Sequence, residues 1–423
     1  VNIRVAPNSV QPDQARLLIV ADDLTGACDA AAQFAQRGVS TVVELKRPAA
    51  FHQLWKKYSV VAVSTESRHK APAVAARRVQ LLVRRALASG ATHFYKKTDS
   101  TLRGNIGAEL RAFRSALGSS VLFFVPAAPQ FGRTTQNGFQ LLDGKKIDRT
   151  EFGRDILAPV RNSHIPTLLK QQNAGKIVAT TFAQLKSIDQ LPANSIVAID
   201  AETGADLREI GVALAARQAL RATAGAAAFA GILADVIPFR RSGQAGVSCQ
   251  GPMLVASGSL HPASRAQVKR VAGDGRFFRP PLPRELLFAR SLSSTQVRDF
   301  AAEIIERANG RSIVLATIPD CDESCGRQSP VLGSARVSRN FALLVTAVLA
   351  SKSFGLVLVF GGETFAAIVK RTLWRRLQVE GELCPGVALA RIEGENSFHL
   401  AAKPGGFGQP DLLRKIQKRL SRR

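Results

Sequence analysis

Cysteine is scarce in this chain of 423 residues: there are five, at 28, 249, 321, 325 and 384. So sparse and odd a set excludes a disulfide framework and points to a reducing compartment, the cytoplasm. Cys321 and Cys325 have no second Cys or His pair near them to complete a zinc site. Long apolar runs are missing too. No stretch reaches the ~18 uninterrupted apolar residues of a membrane span. The nearest, Phe341 to Phe360, is broken by Ser351, Lys352 and Ser353. Residues 1–14 are polar and Pro-punctuated, without the apolar core of a secretory signal. The histidines form no HExxH or metal-spaced pair, and GxSxG, Walker A and GxGxxG are all absent. A P-loop kinase and a Rossmann dehydrogenase therefore lose ground.

Acidic residues are outnumbered 32 to 58 by Lys and Arg, giving a formal charge of +26. A basic surface can neutralise nucleic-acid phosphate. Here the excess is spread along the whole chain, without aromatic interleaving or a nucleic-acid-binding signature. Its one dense run, Arg414 to Arg419 with Arg422 and Arg423, fits the solvated face of an amphipathic helix. A basic field equally concentrates small anionic substrates. With 46% hydrophobic and 21% charged residues, the chain is globular, and its length suits two domains.

Short apolar runs alternate with helical patterns. Leu17–Ala21, Thr41–Leu45, Val60–Ser64, His93–Lys97, Val121–Val125 and Ile196–Asp200 read as strands. Gly26–Gly38, Pro72–Gly90 and Asn105–Leu117 read as helices. Around Arg240–Gly251 the composition turns polar and Gly-rich, as in a linker. A second alternation follows, with strands at Met253–Ala256, Ile313–Ala316 and Leu356–Phe360. Its helices fall near Ala263–Ala272, Thr295–Ala308 and Asn340–Leu349. The expectation is α/β: two domains, 1–245 and 250–423, each a three-layer α/β with a mostly parallel sheet.

Ligands of such sheets bind at the carboxyl ends of strands, and dense polar clusters sit there. Asp22 and Asp23 close the first strand. They could accept a hydroxyl proton, bond sugar hydroxyls or hold Mg²⁺, although one of them could merely cap the next helix. Lys96 to Asn105, with Asp99, Ser100, Thr101 and Arg103, enters a helix whose N-terminus favours anions; Arg103 suits a carboxylate. Pro126–Gly138, with Arg133, reads as a shaped loop or an ordinary connection. In the second half, Gly258-Ser259, Gly361-Gly362-Glu363-Thr364 and Lys403-Pro404-Gly405-Gly406 are glycine turns able to close on phosphate oxygens.

Together these clusters resemble the four-carbon acid sugar kinase family over nearly the whole length. The resemblance rests on Ala21 to Ala27 with Asp29, Asp99 to Gly104, and Pro126 to Pro129 with Gly132-Arg133-Thr134. It continues in Gly258-Ser259 with Gln267, Gly361 to Thr364, Cys384-Pro385-Gly386 and Lys403 to Gly408. The chain departs from the family pattern at Leu260-His261, Glu363 and Pro404. The resemblance implies an acid-sugar-binding domain at 1–245 and an ATP-binding domain at 250–423, facing each other across a cleft. The reaction it implies is ATP-dependent phosphorylation of the terminal hydroxyl of a small anionic sugar acid, a four-carbon tetronate or oxo-tetronate. Asp22 or Asp23 would be the general base, with a lean to Asp23. Asp99, Ser100, Thr101, Arg103 and Arg133 would hold the acid, Arg103 on its carboxylate. Ser259, Gly361, Gly362, Glu363, Thr364, Lys403, Gly405 and Gly406 would hold ATP, with Mg²⁺ on its phosphates. No membrane or nucleic-acid partner is expected, and a homo-oligomer is left open. The rival readings are a same-fold kinase of another acid sugar and a basic nucleotide- or nucleic-acid-binding regulator without catalysis.

Overall fold

A computed structural model of the chain describes residues 15–46, 50–155, 157–184, 191–243, 249–317, 330–395 and 398–420, with side chains of 330–334 left out. Residues 244–248 of the expected linker, Cys321, Cys325, Arg422 and Arg423 lie outside the described residues. In chain order the first elements are β1 (Leu17–Ala21), α1 (Leu24–Ala35), β2 (Thr41–Glu44), α2 (Phe51–Leu54), β3 (Val60–Ser64) and α3 (Pro72–Ala88). Then come β4 (His93–Lys97), α4 (Ile106–Leu117), β5 (Val121–Val125), β6 (Arg133–Gln136), β7 (Phe139–Leu142) and β8 (Lys145–Lys146). These lead to α5 (Ile165–Gln171), β9 (Lys176–Thr180), β10 (Ser195–Ile199), α6 (Gly204–Ala216), β11 (Ala222–Gly225) and α7 (Ala227–Val236). Next are β12 (Met253–Ser257), α8 (Pro262–Arg270), β13 (Phe277–Phe278), α9 (Arg284–Phe288), α10 (Ser294–Ala308), β14 (Ser312–Ala316) and α11 (Pro330–Ser351). The chain closes with β15 (Leu356–Phe360), α12 (Gly362–Val369), β16 (Arg376–Cys384), β17 (Val387–Ile392), β18 (His399–Lys403) and α13 (Leu412–Leu420).

Two compact units emerge. One takes Val1–Asp22, Gln33–Val42 and Pro48–Gln244; the other takes Asp23–Ala32, Val43–Arg47 and Ala245–Arg423. Strands of the first unit run β3-β1-β4-β11-β5-β10-β9, and every one of these pairs is parallel. Every residue of β1 is buried, which a parallel sheet covered on both faces requires. Leu18, Val20, Phe94, Leu122 and Phe124 share one core with Val79 and Val83 of α3 and with Leu110 and Phe113 of α4. The chain leaves β1 toward β3 on one side and later returns as β4 on the other. That reversal opens a crevice at the carboxyl ends of β1 and β4.

In the second unit the order is β13-β14-β12-β15-β18-β17-β16; it is parallel as far as β18, then antiparallel through β17 and β16. The same reversal occurs between β12 and β15. Met253, Val255, Leu358, Phe360 and Leu389 pack there with Leu412, Leu413 and Ile416 of α13, the helix bearing the basic run. Among the described residues, no helix is long and apolar enough to cross a membrane.

Several bounds differ from expectation for local reasons. α1 begins at Leu24, before Gly26, because the Asp23 side chain accepts from Gly26 N–H and caps it. α11 starts at Pro330, far upstream of Asn340, and proline is at home in a first helical turn. The Pro126–Gly138 loop contains a strand instead. β6 and β7 form a hairpin whose Asn137-Gly138 turn has φ of 50° and 74°, the conformation Asn-Gly favours.

Candidate active site

The crevice of the first unit is lined by charge that the strands deliver. Asp22, directly after β1, is 3% exposed. Its Oδ2 accepts from Arg68 Nε at 2.6 Å, while among the described residues its buried Oδ1 has no hydrogen-bond partner. Burial pushes this carboxyl up, but Arg68 and Lys96 outweigh it and hold the group below its ordinary value. Asp22 is thus an anion with one oxygen open.

From β4, Lys96 enters the core and pairs with Glu109 of α4 at 2.8 Å, both side chains being essentially sealed from solvent. Ser67 Oγ donates to the other Glu109 oxygen, and Thr65 Oγ1 lies 2.6 Å from Ser67 Oγ. Past the strand end, Asp99 accepts from Arg103 Nε at 2.6 Å, from Arg103 Nη2 at 3.3 Å and from Thr101 Oγ1. Burial opposes ionisation of Asp99, yet Arg103 and Arg68 keep it well below the usual carboxylate range. Arg103 Nη1 reaches Asp155 Oδ2 at 3.2 Å, so its fork is held by two carboxylates of the chain. Arg133, from the unexpected hairpin, donates to Ser100 Oγ at 3.1 Å. The Phe152 ring centre lies 5.2 Å from the Arg103 guanidinium and 5.9 Å from that of Arg133. A cavity of about 420 Å³ opens beside this cluster, with Arg68, Leu102, Gly104 and Asn105 in its wall.

In the second unit, glycine turns follow β12, β15 and β18, which are neighbours in the sheet. Their backbones come close enough to exclude a side chain. A Cβ on Gly258 would meet Thr364 Oγ1 at 2.3 Å, and one on Gly405 would meet Ser259 Oγ at 2.5 Å. A Cβ on Gly362 would fall 2.6 Å from Asp23 Oδ2, since Asp23 packs within this unit. Gly361 takes φ +92° and precedes α12 without a side-chain cap, which leaves first-turn N–H groups for an anion. Lys403 is fully buried, and its ammonium donates to the carbonyls of Pro404, Gly405 and Phe407 at 3.0, 3.1 and 2.9 Å. Burial pulls this lysine down to about 7. Gln267 Nε2 holds the same turn through the carbonyls of Phe407 and Gly408. Lys403 and Gln267 therefore shape the turn from below.

Residues 17–233 match the model of a sugar-binding N-terminal domain, and residues 254–413 that of a nucleotide-binding C-terminal domain. A D-threonate kinase of Bordetella bronchiseptica is 31% identical over 93% of this chain and 95% of its own. The chain belongs to the four-carbon acid sugar kinase family. A 3-oxo-tetronate kinase of Cupriavidus necator is 27% identical over 95% of this chain and 96% of its own. A solved structure from Salmonella typhimurium superposes with a TM-score of 0.75, covering 96% of this chain and 99% of that one at 20% identity; it shares the fold.

Within this family member, Asp22, Asp99, Ser100, Thr101, Arg103 and Arg133 gather in the first unit. Ser259, Gly361, Gly362, Thr364, Lys403, Gly405 and Gly406 gather in the second. Asp22 and Asp23 part company: Asp22 faces Arg68, and Asp23 takes Thr25 Oγ1 and Gly26 N–H at 2.8 and 2.9 Å. Glu363 is exposed in the first turn of α12. Sequence reasoning did not single out Arg68, Glu109 or Asp155. Glu109 had one signal: a lysine in a continuous buried strand needs a carboxylate from somewhere. For Arg68 and Asp155 the sequence holds none.

Proposed function

We propose that the chain transfers the γ-phosphoryl group of ATP to the terminal hydroxyl of a four-carbon sugar acid, a tetronate or oxo-tetronate. The acid binds in residues 1–245 and the nucleotide in residues 250–423. The observation that carries this reading is the open, buried Oδ1 of Asp22 in a cationic strand-end crevice. The names of the relatives, D-threonate kinase and 3-oxo-tetronate kinase, support the substrate class.

Phosphoryl transfer asks the protein for alignment and charge neutralisation more than for covalent chemistry. Asp22 Oδ1 accepts a hydrogen bond from the reacting hydroxyl and then its proton, as the new O–P bond forms and the bond from Pγ to the ADP oxygen breaks. Arg68, on Oδ2, fixes the carboxylate in that orientation. Asp23 braces the first turn of α1. Asp99, Ser100, Thr101, Arg103 and Arg133 form the wall that orients the acid. For the nucleotide, the glycine approaches at 258, 361, 362, 405 and 406 bring backbone N–H groups to the phosphates, with Ser259, Glu363 and Thr364 beside them. Lys403 keeps its turn in shape. Among the described residues no three carboxylate, histidine or thiol groups gather to cage a metal. Mg²⁺ fits as a partner of the nucleotide phosphates, which supply most of its ligands, and it would neutralise their charge.

A coupled ADP-release screen tests this reading over D- and L-threonate, D- and L-erythronate and their oxo forms. ATP-dependent turnover of at least one four-carbon acid is expected. Turnover confined to acids of another chain length, or none with any of them, overturns it.

A further inference from the structure

Three lysines are buried among the described residues: Lys96, Lys97 and Lys403. Two have several partners each. Lys96 pairs with the Glu109 carboxylate and also donates to the Lys97 carbonyl. Lys403 has three carbonyls and the Ser264 hydroxyl around it. Lys97 is different. It is 5% exposed, and its ammonium donates to the Thr98 carbonyl at 2.9 Å. Among the described residues no carboxylate comes within ion-pair distance of it. An ammonium carries three N–H donors, so two remain without a protein acceptor in a place nearly closed to water. Burying a charge in this way is costly unless something pairs it.

Its position says what could. Lys97 is the last residue of β4, opposite Ala21 of β1, at the strand ends where the sheet order reverses. The residues that follow on the two strands, Asp22 and Thr98, each carry a buried oxygen with no hydrogen-bond partner among the described residues, Asp22 Oδ1 and Thr98 Oγ1. An unpaired cation at the end of β4, with unpaired oxygens on the next residue of each of the two strands, suits a small molecule bearing both an anionic group and hydroxyls. The Arg103 fork, expected to hold the carboxylate, is taken up by Asp99 and Asp155.

We propose that Lys97 is the residue that pairs with the substrate's carboxylate, while Asp22 and Thr98 take its hydroxyls. The inference rests on the acid sugar kinase reading above. On it, the free protein carries an unpaired charge that the substrate neutralises on arrival.

The test uses the full chain with Lys97→Met, which keeps length and removes charge, and Lys97→Gln as a second variant. With D-threonate or whichever acid the parent prefers, KM for the acid should rise at least ~30-fold in both, the loss typical of a severed buried charge pair. KM for ATP should stay within about twofold. Without ligand, Lys97→Met should resist urea as well as the parent or better, because removing an unpaired buried charge relieves a cost. Saturating acid should raise the melting temperature of the parent and not that of either variant. An unchanged KM for the acid overturns the proposal. So does a rise in KM for ATP alone, which would put the ammonium on phosphate, and so does loss of folding in both variants, which would make Lys97 structural. The parent's own turnover tests the kinase reading separately. An inactive parent sinks both, and an active parent with indifferent variants sinks this inference alone.

Discussion

Lys96 and Glu109 form an ion pair whose energetics can be worked from geometry. Nζ and Oε2 are 2.8 Å apart, with side-chain exposures of 0% and 2%. Glu109→Gln removes one charge and leaves the other buried without a counter-charge, with only neutral acceptors such as the Lys97 carbonyl. Breaking a pair of this kind costs about 3–5 kcal/mol. At 1.4 kcal/mol per factor of ten, the folding equilibrium should weaken by about two to four orders of magnitude. Lys96→Met with Glu109→Met removes both charges together and should recover most of the loss, or exceed the parent. The assay is urea denaturation followed by tryptophan fluorescence. The chain has two tryptophans, Trp55 and Trp374, so a Trp374→Phe background leaves Trp55, buried in the first core, as the reporter. The pair also bears on function, because Lys96 is one of the cations holding the Asp22 carboxyl down. In the double variant Asp22 should titrate higher, and the acid limb of kcat/KM should move to higher pH. A Glu109→Gln variant within about 1 kcal/mol of the parent would refute the reasoning, as would a double variant no more stable than the single one.

Asp22→Asn should lower kcat by ~10²–10⁴-fold, the usual effect of removing a general base, with near-normal KM for ATP. Asp23→Asn should change little, since Asn caps a helix as well as Asp does; steady-state kinetics showing the reverse ranking would exchange the two roles. Gly405→Ala drives a Cβ to 2.5 Å from Ser259 Oγ, whereas a Cβ on Gly275 meets open space. KM for ATP should rise roughly tenfold or more in the first and stay unchanged in Gly275→Ala, and equal values would show that the turn does not approach the nucleotide. Lys403 falls from 10.5 to about 7 on burial, so between those values the unfolded chain binds more protons than the folded one. Its contribution to stability therefore rises with pH across that window and is least favourable below about 7. The urea midpoint of the parent should gain on that of Lys403→Met between pH 6.5 and 9.5, conditions chosen to span roughly that window, and a constant difference would refute it.

Strands such as Val60–Ser64, Val121–Val125 and Leu356–Phe360 were legible to the residue, because a short apolar run bounded by polar residues has few other readings in an α/β pattern, and His93–Lys97 was legible from its place in that alternation. The glycine turns and acidic strand ends were legible for the same reason, as chemistry written contiguously. β16 was not, since its mixed polarity carries no continuous run; the short Val387–Ala390 run of β17 and the Asn137-Gly138 hairpin signal were passed over, the latter inside a stretch dominated by proline and glycine.

By itself, then, the sequence determined the alternation of elements, the place of each polar cluster at a strand end, and the family that those motifs resemble. Each of these depends on residues near one another in the chain. Only the tertiary structure decided which of two adjacent aspartates keeps an open oxygen. It also decided that Lys96 meets Glu109, that Arg103 spends its fork on Asp99 and Asp155, and that Lys97 meets no carboxylate among the described residues. Those outcomes depend on strand order. β4 lies beside β1, and β12, β15 and β18 lie side by side, through crossovers that no local pattern encodes. Side chains far apart in sequence share a crevice only after the sheet has chosen its neighbours, and burial then gives each unmatched charge its energetic weight.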